Sequence, residues 1–413
     1  MKRLIFHVDV NNAFLSWEAA ERVRRGQADL RKIPSAIGGD EERRHGVILA
    51  KSIPAKQMGV VTGEPIVQAL RKCPDLYLAK PNFRLYEKNS HDFLAVCRKY
   101  APIVEQYSID ECFLDMSGTE RLYPDPVAIA LHIKNEIRDT LGFTVNVGIG
   151  NNKLLAKMAS DFEKPDKVHT LFDGEIRTKL WPMPVRELFS VGRATAERLE
   201  RVYIRTVGDL ACADLSYLQA LLGEKQGTQL HCFANGLDDS PVHGKLEDAK
   251  GYSNSTTLAR DITDADSAKA ILLALADSVT SRMRADKAKA FSVSVTVRGA
   301  DFKDASHQKR LNTATDITDE VFGIACALFD ELWNGKTPIR LLGLSLTNLS
   351  KDEEGQLSLF ETEDRERARQ LDRVVDSIRN QFGFDTIKRA TVCDTENEIG
   401  KKQRAKREQE RKT

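Results

Sequence analysis

The residues best equipped for chemistry in this sequence are three acids. Asp110 and Glu111 lie side by side within Tyr107-Ser-Ile-Asp-Glu-Cys-Phe-Leu-Asp115, which alternates as a half-buried strand with Ile109, Phe113 and Tyr107 toward one face. Acids inside an apolar strand are costly unless a positive charge is bound beside them. Taken alone, the nonamer fits an exposed hairpin turn equally well. The third acid, Asp9, closes the run Arg-Leu-Ile-Phe-His-Val-Asp-Val at residues 3–10, which reads as a buried first strand. If the strand ends converge at one sheet edge, repulsion among the three carboxylates calls for divalent cations. Two Mg²⁺ ions about 3.5–4 Å apart can activate a hydroxyl and stabilise a leaving pyrophosphate in an in-line displacement. In that arrangement Asp9 and Asp110 bridge both ions and Glu111 holds the ion nearer the nucleophile. The Val10 carbonyl completes the second site.

The elements that must position these acids can be read in order. Asn11-Asn12 is a turn, and 13–25 a helix with Phe14, Trp17 and Val23 available for packing. Residues 26–81 are polar and broken by Gly and Pro, with short strands at 35–37 and 46–50 and a helix at 65–72, as in a small inserted subdomain. Core elements resume with a strand at 76–79, a helix at 82–100, the hairpin at 104–116, an amphipathic helix at 125–141, a strand at 143–150 and a helix at 151–161.

Residues 171–235 turn short and helical. Ser190-Val-Gly-Arg-Ala-Thr-Ala-Glu-Arg-Leu199 followed by Tyr203–Leu210 has the pattern of a helix-hairpin-helix, in which Gly192 and Arg193 would offer backbone N–H groups to a phosphate. Ser190 stands where that turn usually has its first glycine, so a plain helical hairpin remains open. A Gly/Asp/Pro-rich linker at 236–251 leads into a strand-helix-strand-strand-helix-strand order over 252–348. Such a βαββαβ order predicts a four-stranded antiparallel sheet backed by two helices. Its basic residues, among them Lys289, Arg298, Lys309 and Arg310, gather at strand ends and on the polar phase. They suit either a phosphate backbone or a solvated face.

The chain's 413 residues imply two to four domains. Its 62 basic and 61 acidic residues cancel, so bulk charge points to no partner and only local clustering can. Seven dispersed cysteines without C-x-x-C spacing argue for reduced thiols and against a disulfide frame or zinc site, His231-Cys232 included. No apolar run approaches the ~18–20 residues of a membrane span, so a soluble, cytoplasmic protein is expected. In the polar tail, 349–413, Gln356-Leu-Ser-Leu-Phe360 is an isolated apolar peptide. A helix follows at 362–381, with Leu371, Val374, Val375 and Ile378 on one side, and a basic end at 401–413 that lacks the composition to fold.

Four motifs together carry a family resemblance: His7-Val-Asp-Val-Asn-Asn-Ala-Phe14, Tyr107–Asp115, Gly148-Ile-Gly-Asn-Asn-Lys-Leu-Leu-Ala-Lys157 and Glu163-Lys-Pro165. In order and spacing they resemble the Y-family translesion DNA polymerases, of the DNA polymerase IV type, from residue 3 to about 348. The resemblance implies an α+β multidomain fold, a right-hand polymerase. Its palm would span 1–20 and 76–170, fingers 21–75, a helical thumb 171–235 and a DNA-gripping little finger 252–348. It also implies primer-template DNA and deoxynucleoside triphosphates as partners of a monomer. Phe14 falls at the steric gate that excludes a ribose 2′-hydroxyl, and Lys164 and Lys56 at triphosphate contacts.

The fingers depart from that pattern. Ala50 and Ile53 stand where a Thr and a Tyr usually contact the triphosphate, and Lys56 replaces an Arg, which should weaken nucleotide binding by about 1–3 kcal/mol. Lys51 is a candidate for compensation. Gln356, Leu357, Leu359 and Phe360 resemble the sliding-clamp-binding peptide of bacterial replication proteins, and three large apolar groups in a charged linker need a partner or a fold-back site. The expected function is template-directed translesion synthesis by two-metal nucleotidyl transfer, recruited by the clamp. No proofreading nuclease is expected, because the assigned parts leave no room for one. The competing reading is a weak or inactive homologue that regulates access to clamp and primer ends.

Overall fold

The computed structural model describes residues 3–39, 46–244, 248–351, 363–383 and 386–389. The chain forms two compact units, one within residues 1–39 and 47–246 and the other within 247–413.

The first unit is built on β1 (Ile5–Val10), followed by α1 (Ala13–Arg24). The inserted subdomain holds β2 (Ser35–Gly38), β3 (Ile48–Lys51), α2 (Ile53–Gln57), α3 (Ile66–Lys72) and β4 (Tyr77–Ala79). After these come α4 (Phe83–Cys97), β5 (Ile103–Gln106), β6 (Glu111–Asp115), α5 (Pro126–Leu141), β7 (Val145–Gly150), α6 (Lys153–Ser160) and β8 (Val168–Leu171). The main sheet has the order β5-β6-β1-β7-β8, with β1 at its centre. Every residue of β1 is buried, as a strand covered on both faces requires. A second sheet, β3-β2-β4, corrects the sequence boundary at residue 76. There β4 pairs in parallel with β2 and so belongs with the inserted subdomain. Periodicity in three residues could not specify which sheet they join.

The hairpin also differs from its expected form. Residues 107–110 are not strand; Tyr107 and Ser108 donate backbone hydrogen bonds to the Glu111 carbonyl, so Asp110 sits in the turn and Glu111 opens β6. Both readings of the nonamer thus held a part. The unit ends in short helices α7 (Arg193–Arg201), α8 (Val207–Cys212), α9 (Leu215–Leu222) and α10 (Glu224–Ala234), whose core is shared with Leu154, Leu155 and Met158 of α6.

The second unit has the expected βαββαβ order. It comprises β9 (Gly251–Ile262), α11 (Ala265–Ala285), β10 (Lys289–Gly299), β11 (Asp304–Thr315), α12 (Thr318–Leu332) and β12 (Ile339–Ser350). Its antiparallel sheet runs β11-β10-β12-β9, and Val293, Val295, Leu342, Leu344 and Leu346 pack beneath the helices.

The tail adds α13 (Glu363–Phe382) to this unit. Its apolar side is only partly covered: Val375 and Ile378 are half-buried and Leu371 and Val374 exposed, whereas Arg369, Asp372 and Arg379 are buried. The Arg284 guanidinium of α11 meets Asp372 at 3.2 Å and Asp376 at 2.6 Å, Arg369 meets Asp316 at 3.1 Å, and Arg379 meets Asp277 at 2.8 Å. Asp372 also accepts the backbone N–H of Thr318 at 2.8 Å, capping α12, whose own N-cap Ile317 has no side chain able to do so. The peptide 356–360 and the basic end 401–413 lie outside the described residues.

Candidate active site

In the antiparallel register of β1 and β6, Asp9 stands directly opposite Glu111; on the other side of β1 it faces Asn146 of β7. Burial, and next to it the Glu111 charge, push the Asp9 carboxyl up to about 6, against the pull of Lys164. The Lys164 ammonium lies 2.7 Å from Asp9 Oδ2 and 2.7 Å from Asp161 Oδ1. Glu111 has its own cation, with Lys157 Nζ 2.9 Å from Oε1. Beneath it, fully buried His7 places Nε2 3.9 Å from Glu111 Oε2 and Nδ1 2.8 Å from Ser160 Oγ. Burial holds this imidazole well below its usual range, with Lys157, Lys164 and Lys153 adding to the effect, so it is neutral.

The Gly148-Ile-Gly150 motif explains how Lys157 gets there. A Cβ at Gly148 would lie 2.0 Å from the Ala156 carbonyl oxygen, and one at Gly150 2.6 Å from the Ala156 nitrogen. Only glycines let the backbone of α6 rest on β7 and aim Lys157 and Ser160 at the β1–β6 edge.

The three acids do not form one cluster. Asp110 Oδ1 accepts the Ser108 hydroxyl at 2.6 Å, and the Asp110 carbonyl accepts the Val10 N–H at 2.9 Å. Among the described residues, no group of three or more His, Cys, Asp or Glu side chains is close enough to hold a metal ion. The reason is local: Lys157 and Lys164 already compensate Glu111 and Asp9, and Ser108 draws Asp110 into the turn. The residues nevertheless fit a hard divalent cation. Two opposed carboxylates, one of them buried enough to resist ionisation, lie one residue from a third in an all-oxygen donor set.

Sequence reasoning missed the scaffold around Lys164. Buried Asn146 donates to the carbonyls of Ser160 and Glu163 at 3.0 and 2.6 Å, accepts from Asn11 Nδ2 at 3.1 Å, and so ties the Glu163-Lys-Pro165 loop to the central strands. A polar residue alternating with valines in Val145-Asn-Val147 was the available signal.

Phe14 is half-buried, stacked on Tyr86 at 4.9 Å between ring centroids and edge-on to Phe83 at 6.3 Å. Asn12 donates to the Lys51 carbonyl at 2.7 Å, which joins the start of α1 to the inserted subdomain. The Lys51 ammonium is turned to Thr62 Oγ1 at 3.0 Å, and Lys56 is exposed on α2. Ala50 is buried and Ile53 exposed.

Two further regions suit phosphates. Ser190 adopts φ 72°, the conformation a glycine would take there freely, and Gly192 caps α7 with open space where a Cβ would stand. Arg193 is exposed and paired with Glu197. On the open face of the second unit's sheet, cross-strand register lines up Ser253, Ser345, Ser294 and Gln308, and in the next row Ser255, Gly343, Thr296 and Ser306. These short hydroxyl rows, unmarked by charge, were not singled out from the sequence, and they let a backbone approach closely. Lys309 and Arg310 are exposed along the β11 edge, Lys289 is half-buried at the start of β10, and Arg298 is bound to Asp304 at 2.5 and 2.7 Å.

Known proteins resemble this chain in sequence and in fold. Residues 8–161 match the impB/mucB/samB family, 249–359 the C-terminal domain of that family, and 186–238 the DNA polymerase-iota thumb domain. The chain is 43% identical over 397 residues to a DNA polymerase IV of Clostridium acetobutylicum, covering 96% of this chain and 100% of that protein. It is 37% identical over 397 residues to DNA polymerase IV 2 of Bacillus subtilis, covering 94% of each. A solved Y-family DNA polymerase chimera superposes with a TM-score of 0.74 at 22% identity, over 84% of this chain and all of that one. Among the described residues, no helix is long and apolar enough to cross a membrane.

Proposed function

We propose, from the premise that this chain belongs to the impB/mucB/samB family of Y-family DNA polymerases, of the DNA polymerase IV type, that it extends primers across damaged templates at the Asp9–Glu111 edge. It is a DNA-directed DNA polymerase, and its family implies dependence on divalent metal. The observation that carries the site assignment is the register of Asp9 against Glu111, each with its own lysine.

Asp9, Asp110, Glu111 and the Val10 carbonyl would hold two Mg²⁺ ions, whose chemistry is to activate a primer 3′-hydroxyl and neutralise the departing pyrophosphate. The chain's own residues do the positioning. Asn146 fixes the loop from which Lys164 meets the triphosphate, with Lys51 and Lys56 supplying further charge from the inserted subdomain. Phe14, braced by Tyr86, blocks a 2′-hydroxyl beneath the sugar. Gly192 and Arg193 hold a backbone phosphate at the N-terminus of α7, and the hydroxyl rows with Lys289, Arg298, Lys309 and Arg310 hold the duplex. In domain terms, residues 1–20 and 80–170 are palm, 21–79 fingers, 171–235 thumb and 252–348 little finger. Gln356, Leu357, Leu359 and Phe360 recruit the sliding clamp, and errors are not proofread.

Primer extension with Mg²⁺ on undamaged and lesion-bearing templates tests this. The wild-type chain should extend both, and an Asp110→Ala plus Glu111→Ala double variant neither. Equal extension by the two proteins would refute the assignment. A pull-down with the clamp, lost on Leu359→Ala plus Phe360→Ala, tests recruitment separately.

A further inference from the structure

On the helical side of the second unit, α13 and the end of α11 enclose an open groove of about 1120 Å³. One wall carries Lys287, Lys289 and Arg282, whose guanidinium donates to the Ser253 carbonyl at 2.7 Å and the Ser278 carbonyl at 3.4 Å, and α13 faces them with Arg373. The two acids in the lining are already engaged: Asp376 receives two hydrogen bonds from Arg284, at 2.6 and 3.2 Å, and Asp316 meets Arg369 at 3.1 Å. The other polar groups offered by α13, at Ser377, Asn380 and Gln381, can all donate hydrogen bonds. In a chain whose charges cancel overall, this groove therefore presents donors and positive charge with no uncommitted carboxylate among its lining residues.

The groove exists because the charged face of α13 is docked, and α13 lies beyond residues 249–359, where the family's C-terminal domain is matched. Its volume exceeds the usual range of enclosed small-molecule sites, about 300–1,000 Å³, and its open form suits an extended chain of phosphates. Lys289 both lines the groove and begins β10, so the groove is continuous with the end of a strand whose opposite face bears the hydroxyl rows. We propose that this groove is a second nucleic-acid site, holding the phosphates of a single DNA strand on the helical side of the unit.

The test uses the full-length chain and a labelled 20-nucleotide single strand, with affinity read by fluorescence anisotropy across a salt series. Arg373→Glu should weaken binding about 5–10-fold at low salt and flatten the slope of log affinity against log salt by about 0.7. Arg367→Glu is the matched control. It makes the same charge change on the same helix, at an exposed position outside the groove lining. Both side chains are exposed, so melting should stay near wild type. Equal losses for the two variants would reduce the effect to bulk charge and overturn the site, as would no loss for either. Weakened binding of inorganic tripolyphosphate in Arg373→Glu, with DNA binding intact, would also overturn it in favour of a small-anion site.

Discussion

Asp9 faces Glu111 across two hydrogen-bonded strands, and the site keeps these like charges together only by giving each a lysine. The arrangement strains the metal-free chain. Asp9 titrates near 6 when folded and near 3.8 ordinarily, so the folded chain binds that proton more tightly than the unfolded one. Its contribution to stability is therefore fully present below about pH 4 and is lost as pH rises through about 6. At neutral pH the ionised carboxylate costs up to about 3 kcal/mol. Asp9→Asn should melt a few degrees higher than wild type at pH 7 without metal, lose part of the pH dependence between 4 and 6, and extend no primer. A lower melting temperature at pH 7 would contradict this reading.

Lys157 occupies a carboxylate oxygen of Glu111 that, under the proposed function, a divalent cation would take. Removing its ammonium should free Glu111, so Lys157→Ala is expected to bind Mn²⁺ roughly tenfold more tightly in the absence of DNA, the scale of one charge-assisted hydrogen bond. Calorimetry on the metal-free chain measures it, and Lys157→Arg should restore weak binding. A merely structural lysine would give weaker binding on removal, the opposite sign.

Gly148 was legible in the sequence as part of a motif, but its physical reason was not. Ala at this position would place a methyl 2.0 Å from the Ala156 carbonyl and 2.4 Å from the Ser160 nitrogen, both backbone atoms of α6. The helix would have to shift and carry Lys157 with it. Gly148→Ala should cost more than about 3 kcal/mol in a denaturant melt and abolish extension. A variant with wild-type stability would mean that α6 can slide on β7.

How far the sequence could be read follows from which interactions periodicity encodes. Strands such as Phe291–Val297 alternate because one face meets helices, so the second unit's order was readable. The three acids stood out because acids beside apolar runs are anomalous. What was not readable depends on partners distant in sequence. Asp110 turns to Ser108 rather than to Asp9, β4 pairs with β2, and the serine rows on the open sheet face appear only once register aligns four strands. The same limit hid how α13 packs. Of the apolar stripe Leu371, Val374, Val375 and Ile378 only the last two are half-buried, and the surface that receives the helix also presents Arg284, Asp277 and Asp316 to its charged residues.

That packing makes a sharp contrast between two neighbours on α13. Asp372 is 5% exposed, accepts from Arg284 and caps α12 through Thr318, whereas Leu371 beside it is 57% exposed. Losing Asp372 leaves Arg284 with Asp376, the Asp316 carbonyl and the Thr318 hydroxyl, and leaves α12 uncapped; breaking a buried pair costs about 3–5 kcal/mol. Asp372→Ala should therefore lower the stability of the second unit by about 2–4 kcal/mol, moderated by the Asp376 contact that remains. Leu371→Asp should change it by less than about 0.5 kcal/mol. Hydrogen exchange on the full chain reads the outcome locally, since only Asp372→Ala should speed exchange through the first turn of α12. If Leu371→Asp proved the costlier change, α13 would be held by its apolar stripe and the charged interface would carry little of the binding.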